Sequence, residues 1–557
     1  MPVGVPWHQL LLVCLSPSLL PAATPWEPGR FGGQITIAER GEPKTLNPVL
    51  ALDAPSRDVI RRMMGDLISI NRATQQTEPG LAESWRVSKD HLHYTLTLRE
   101  GVKFSDGHPF TADDVVFSFA VYLDEKLGSP QRDLLMPGDK PIQVVKLDAR
   151  HLRFDLAMPY AAAERLFDSV AMLPKHLLET PWREGRFAQM WNAGTPPAQL
   201  AGLGPFRLKE YKPGESIVLE RNPFYWKKDA AGKQLPYLDS LRFLFVANED
   251  AQVLRFGAGE TQLLNRFAAR SAVLLPADLL TDLGPGLEYS FLFFNLGETG
   301  RPWFRDAAFR QAVSAAIDRD AMVRLVFSGR AAALATHVPP GNAHWMNTAV
   351  PRPKRSLEQA RALLQKAGFH WAADQSLLDN TGHRVEFSLV TSAANEERLK
   401  MATILQEDLR QLGMDVHVAP LEARSLIDRV TRTRQFDACI MALGGGDADP
   451  NSEMNVWMSD AAMHLWNPSQ KKPATPWEAE LDDLMRRQMV TSVPTVRKQL
   501  FDRVQQIEAQ QLPLISLVSP HILVAASKQV GNFRPAVLDH YTLWNAEYLY
   551  LRDSGRK

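Results

Sequence analysis

The stretch from Arg384 to Leu443 restricts the fold more than any other part of the chain. Val385, Phe387 and Leu389 alternate as a strand, and a helix follows with Leu399, Leu405, Leu409 and Leu412 on its apolar side. Gly413 ends that helix, and Met414, Val416 and Val418 alternate as a second strand. A β-α-β unit requires a right-handed crossover and a parallel sheet. A short helix over Ser425–Thr431 then leads into Phe436–Leu443, the nearly continuous apolar run expected of a central strand.

Other segments add strands and helices of their own. Leu92, Tyr94, Leu96 and Leu98 share one face of a half-buried strand, opposite His91, His93, Thr95 and Thr97. Thr111 is placed to cap a helix whose first turn carries Asp113 and Asp114 and whose stripe is Val115, Val116, Phe119 and Leu123. Gly204–Leu208 and Ser216–Glu220 flank Lys212-Pro-Gly-Glu215 as a hairpin, followed by the aromatic cluster Asn222-Pro-Phe-Tyr-Trp226. Phe309, Val313, Ile317 and Leu325 predict a helix within Asp306–Phe327. Ser356-Leu-Glu-Gln359 is a capping box whose helix stops at Gly368. A late helix over Thr495–Gln510 precedes the apolar run Leu512–Leu517. The fold class is mixed α/β with more than one sheet.

A length of 557 residues gives a prior of three to four domains. Sixty-three Lys and Arg balance sixty-three Asp and Glu, so no basic excess points to nucleic acid. Leu10–Leu15 with Leu19 and Leu20, before Pro21-Ala-Ala-Thr24, reads as a secretory signal over residues 1–24. No Lys or Arg precedes this run, which leaves two other readings: lipidation at Cys14, or an unprocessed N-terminal strand. No later stretch is apolar for the ~18 residues that a membrane span needs. Once the leader is removed, Cys439 is the single thiol, and its apolar surroundings make it a small core residue.

Ligands of open α/β sheets bind beyond the carboxyl ends of the strands. Directly after Phe436–Leu443 stand Gly444, Gly445, Gly446, Asp447, Ala448, Asp449 and Pro450. Glycines admit a ligand close to the backbone, and the aspartates add charge; a solvated turn without a role explains the pattern equally well. Asp447 and Asp449 also permit a paired-carboxylate hydrolase reading. His91 and His93 have no third metal ligand nearby, and Gly257-Ala-Gly259 lacks the rest of a dinucleotide fingerprint.

Taken in order, several segments resemble one family. They are Gly41–Pro48, Pro79–Trp85, Leu98–Gly107 running into Phe110–Phe117, Gly204–Phe206, Arg221–Trp226, Phe294-Asn295, Phe309–Arg319, and Phe436–Ala438 with Asp449-Pro450. The chain is identified by them as similar to family 5 of the extracytoplasmic solute-binding proteins of ABC importers, the oligopeptide/dipeptide-binding class. The resemblance implies a three-domain periplasmic binding-protein fold of type II that closes on its ligand by a hinge. Lobe I would comprise 31–72, 202–287 and 519–557, the extra domain 73–201 and lobe III 288–518, with the hinge near 287 and 518. It implies a periplasmic, monomeric protein without catalysis, cofactor or metal. The partners would be a peptide or other small solute, a membrane permease and an ATPase, and no nucleic acid. A cell-surface receptor using the same fold without transport is a further reading.

The resemblance also places the ligand. Asp53 and Ala54 match the stretch that touches it from lobe I, and Leu443 and Arg424 stand where peptide binders often carry aromatics. In those relatives an aspartate three residues before the Asp/Glu-Pro step pairs with the peptide ammonium; here that position is Gly446, with Asp447 one place later. Either Asp447 swings in to replace the missing group, or the ligand lacks a free amino terminus. Sugars, blocked peptides, opine-like compounds and metal chelates meet the second condition.

Overall fold

The structure is a computed structural model, and it describes residues 25–444, 447–468, 470–538 and 540–552. The expected leader with Cys14, as well as Gly445 and Gly446, lie outside the described residues.

The β-α-β unit forms as its pattern dictates. Glu386–Ser392 and Asp415–Leu421 pair in parallel along their whole length, joined by helix Glu396–Arg410. Asn395 caps this helix, its Oδ1 accepting the Arg398 N–H at 2.8 Å. Beyond the helix Gly413 sits at φ +83°, where a Cβ would stand 2.2 Å from the Gln375 carbonyl oxygen, so the turn requires glycine. Ala438–Leu443 lies between Glu386–Ser392, parallel, and Tyr289–Phe294, antiparallel. Its side chains face two cores in alternation: Ala438 and Ile440 join one with Leu389 and Phe294, and Cys439 and Met441 join the other with Val390 and Phe293. Cover on both faces is why the run is continuously apolar.

This arrangement is one part of a twelve-stranded sheet. From the edge strand Asp415–Leu421 the order runs through Glu386–Ser392, Ala438–Leu443, Tyr289–Phe294 and Leu514–Ala526. It continues through Leu263–Leu264, Gln34–Glu39, Ser240–Phe245 and Ser216–Arg221 to Phe206–Lys212. Leu514–Ala526 joins the two parts. Its first residues pair with Tyr289–Phe294 and its last with Leu280–Pro285 and Leu263–Leu264. The register slips on both sides of the crossing, between Asp282 and Pro285 and between Ser290 and Phe291. Pro520, within the crossing, has no N–H to give to the ladder. At the crossing itself the strand pairs with Ala331–Ala333, opposite residues 518–520.

A separate antiparallel sheet, in the order Ala82–Val87, His93–Leu98, His151–Asp155 and Gln143–Lys146, packs on helix Ala112–Leu123. Tyr94, Phe119 and Phe154 from this unit share one core with Ile35, Ile217 and Phe243 of the larger sheet's first half. The capping box at Thr111 is complete, with Asp114 as its second member.

Three local expectations change. Phe309 and Val313 are buried on helix Ala307–Ala316, but Asp318 starts a new turn by accepting the Ala321 N–H at 2.7 Å. The chain continues as a π-helix over Met322–Val326, whose wider turn carries Leu325 to 71% exposure. Ser356 caps its helix, but its own N–H goes to the Ala315 carbonyl at 2.8 Å, so the reciprocal half of that box is replaced by a tertiary bond. The helix expected over Ser425–Thr431 is Ala423–Ile427 followed by π-helical Asp428–Thr433.

Candidate binding cleft

Strands from both halves end at one place. Arg40 follows Gln34–Glu39, Glu249 follows Ser240–Phe245, and Arg266 and Arg270 follow Leu263–Leu264. From the second half, Asn395, Glu396 and Glu397 follow Glu386–Ser392. Together with Glu288, Pro520 and His521 of the crossing segments they line a cavity of about 500 Å³. This is the position where α/β sheets hold ligands, and here both parts of the twelve-stranded sheet face it at once.

Most of the charges in this cleft neutralise one another. Arg40 meets Glu249 at 2.6 Å and Arg266 meets Glu288 at 2.8 Å. Glu249 also accepts the Ala268 N–H at 3.0 Å and the Ser271 hydroxyl at 2.8 Å. Arg330 and His521 both reach Asp282, each at 2.9 Å. Burial disfavours the charged form of Asp282, but bonds from the Gly284 N–H, His521 and Arg330 outweigh it and hold the carboxyl below its ordinary range. Glu396 pairs with Lys400 at 3.1 Å. Glu397 differs from all of these: among the described residues no hydrogen bond or ion pair reaches its carboxylate. Burial and then the nearby charge of Glu288 push it above the usual carboxylate range, against the pull of Arg266 and Arg270.

The residues expected from the sequence fall elsewhere, in two groups. Asp447 is bound bidentately by Arg165, with Nε at 2.7 Å from Oδ2 and a second bond to Oδ1. Arg165 also donates to the Gln75 carbonyl at 3.0 Å. Asp449 is buried and holds Arg497 through two bonds of 2.7 and 2.5 Å, while its Oδ1 accepts the Asn451 N–H at 2.9 Å. Arg497 in turn lies 5.1 Å above the Trp345 ring. The two aspartates adjoin a cavity of about 20 Å³ beside Leu287, and each is committed to a guanidinium instead of sharing a proton with the other.

Asp53 is the N-cap of helix Ala54–Met63, accepting the Ser56 N–H at 2.9 Å and its hydroxyl at 2.8 Å. Ala54 and Arg424 are exposed, Leu443 packs half-buried on the Phe293 core, and a Cβ at Gly444 would stand in open space. None of these residues lines the 500 Å³ cavity. Glu249, Arg266, Glu288 and Glu397 line this cavity from the ends of strands other than Ala438–Leu443, on which the sequence reading places the site. The carboxyl-end rule, applied also to Glu386–Ser392 and Gln34–Glu39, points to Glu397 and Arg40.

Glu39, Asp58 and His540 place ligand atoms within 4.8 Å of one another. His540 Nδ1 accepts the Leu543 N–H at 3.2 Å, which assigns the ring proton to Nε2, the nitrogen 3.8 Å from Asp58. Burial, then the charges of Arg62 and Arg61, hold this imidazole well below its ordinary pKa. Nε2 therefore offers a proton and no lone pair, and the cluster does not suit a cation. Among the described residues no helix is long and apolar enough to cross a membrane.

Residues 76–464 match the family described as bacterial extracellular solute-binding proteins, family 5. The chain is 29% identical to a "Probable ABC transporter-binding protein" of Deinococcus radiodurans, over 91% of this chain and 90% of that one. It is 28% identical to the oligopeptide-binding protein AppA of Bacillus subtilis, over 74% and 73%. Among solved structures, NikA of Brucella suis in complex with Fe(III)-EDTA has the same fold, with a TM-score of 0.79 at 22% identity over 93% of this chain and all of that one.

Proposed function

We propose, for a chain that belongs to family 5 of the bacterial extracellular solute-binding proteins, that it captures peptides outside the cytoplasmic membrane and delivers them to an ABC permease and its ATPase. The chain is a solute-binding component, and its relatives are binding proteins of transporters. The observation that carries the reading is the cavity between strand ends of two separately cored halves, next to the crossing at Pro285–Leu287 and Ser519–His521. Closure is then a shift between open and closed states, driven by the ligand's preference for the closed one.

In this reading 31–72, 202–287 and 519–557 form one lobe, 73–201 an extra domain and 288–518 the other lobe. The shared core of the four-stranded unit and the first half, and the separate cores of the second, support that division. The protein works as a periplasmic monomer, and no bond is made or broken in its cleft. A second reading, transport of a solute without a free amino terminus, is favoured by the commitment of Asp447 to Arg165.

A thermal-shift and calorimetric screen of di- to hexapeptides, oligosaccharides and metal chelates tests the proposal. A cognate peptide at 100 times its Kd adds roughly 2.7 kcal/mol to the stability of the folded state. If sugars or chelates shift the transition and no peptide does, the peptide assignment falls and the second reading replaces it.

A further inference from the structure

We infer that Glu397 receives a cationic group of the ligand in the cleft, so that the solute carried is a peptide presenting an ammonium or guanidinium there. This rests on the peptide-binding reading and adds to it the residue that sets the charge preference. The position expected to take such a group is occupied: Asp447 spends both oxygens on Arg165. Within the 500 Å³ cavity the other lining carboxylates are paired, Glu249 with Arg40, Glu288 with Arg266 and Glu396 with Lys400. Glu397 has no such partner among the described residues, although it is half-buried.

A carboxylate in the cleft wall that no protein group engages is the one free to give a charge-assisted bond to a ligand cation. The groups that face it are Glu288 and Glu249, which repel its charge, and Arg266 and Arg270, which attract it. Both arginines belong to the other half of the molecule. Arg266 is already neutralised by Glu288, and Arg270 stands 3.9 Å from Glu249. The raised pKa of Glu397 follows from burial and from that balance, and a cation beside it would act in the opposite direction.

The test is calorimetry at pH 7.5 on the whole protein with three probes: trialanine, N-acetyl-trialanine and N-acetyl-Ala-Lys-Ala. Trialanine offers a terminal ammonium and the acetylated lysine peptide a side-chain ammonium, so the two arms separate the sources of the charge. At least one of them should bind about tenfold or more tighter than N-acetyl-trialanine, as expected for one charge-assisted hydrogen bond. Glu397→Gln should remove this discrimination while keeping the affinity for N-acetyl-trialanine, and Glu397→Asp should retain part of it. An unchanged melting temperature of unliganded Glu397→Gln shows that its fold is intact. If Glu397→Gln still discriminates, or if Asp447→Asn abolishes discrimination instead, the inference is overturned and the peptide reading stands. If the wild type binds none of the three probes nor any other peptide, both fall together.

Discussion

At the scale of single residues the most consequential titratable group is His337. It is buried, donates its backbone N–H to Glu508 Oε1 at 2.8 Å and places Nδ1 2.6 Å from Glu508 Oε2. Burial alone would lower its pKa, but the Glu508 carboxylate at contact distance outweighs that and raises it above the ordinary histidine value. A raised histidine stabilises the fold fully below its unfolded pKa, and the contribution fades as pH rises through the folded value. Urea midpoints should therefore fall as pH increases above the ordinary histidine range. His337→Gln should flatten that slope and destabilise at low pH by about 3 kcal/mol, the size of a broken buried pair. A variant that keeps the full slope would show that another group carries it. Cys439, in contrast, was legible from its apolar run: it is fully buried, and burial pushes its thiol well above its ordinary pKa. Asp449 was not legible, because its partner Arg497 lies 48 residues along the chain and no local spacing connects them.

At the scale of elements, local patterns succeeded where local forces decide. Alternation located the strands of the β-α-β unit, and Thr111 with Asp114 announced a helix start that the structure completes as a reciprocal box. Thr111→Ala should cost about 1 kcal/mol in denaturant unfolding, the usual cost of losing such a cap. Patterns failed where a tertiary contact took over, as at Ser356, whose N–H is satisfied by Ala315 and not by its own capping glutamine. The turn after Ala438–Leu443 shows the same limit. Its glycines and aspartates read equally as a ligand-binding loop or a solvated turn, and the structure shows Asp449 anchoring it to helix Pro494–Gln511 through Arg497. Arg497→Met should destabilise by about 3–5 kcal/mol, since it leaves a buried carboxylate without its counter-charge. Arg497→Met with Asp449→Asn should recover part of that loss, and a double variant as unstable as the single one would contradict this account.

At the scale of the whole molecule, no periodicity reveals that Leu514–Ala526 serves two sheet regions at once, and the proposed lobes rest on the family resemblance. Among the described residues, three contacts away from the crossing also join the halves. The Ala161 N–H reaches the Met489 carbonyl at 2.7 Å, Gln75 Nε2 reaches the Gly341 carbonyl at 3.4 Å, and Arg165 holds Asp447. All three run from the four-stranded unit and its neighbours to the second half, so in the proposed closure they are contacts that opening would break. A contact of this kind contributes to affinity without touching the ligand, because binding must supply whatever closure does not supply itself. Arg165→Ala removes about 1 kcal/mol of closed-state stabilisation if the pair behaves as a partly exposed bridge, which corresponds to roughly fivefold weaker binding. Small-angle scattering should show a larger radius of gyration for the unliganded variant, and saturating ligand should restore the wild-type value. Equal Kd and equal radius in the two proteins would mean that the pair only decorates a closure set by the hinge. A weaker Kd with an unchanged radius would place Arg165 in contact with the ligand itself.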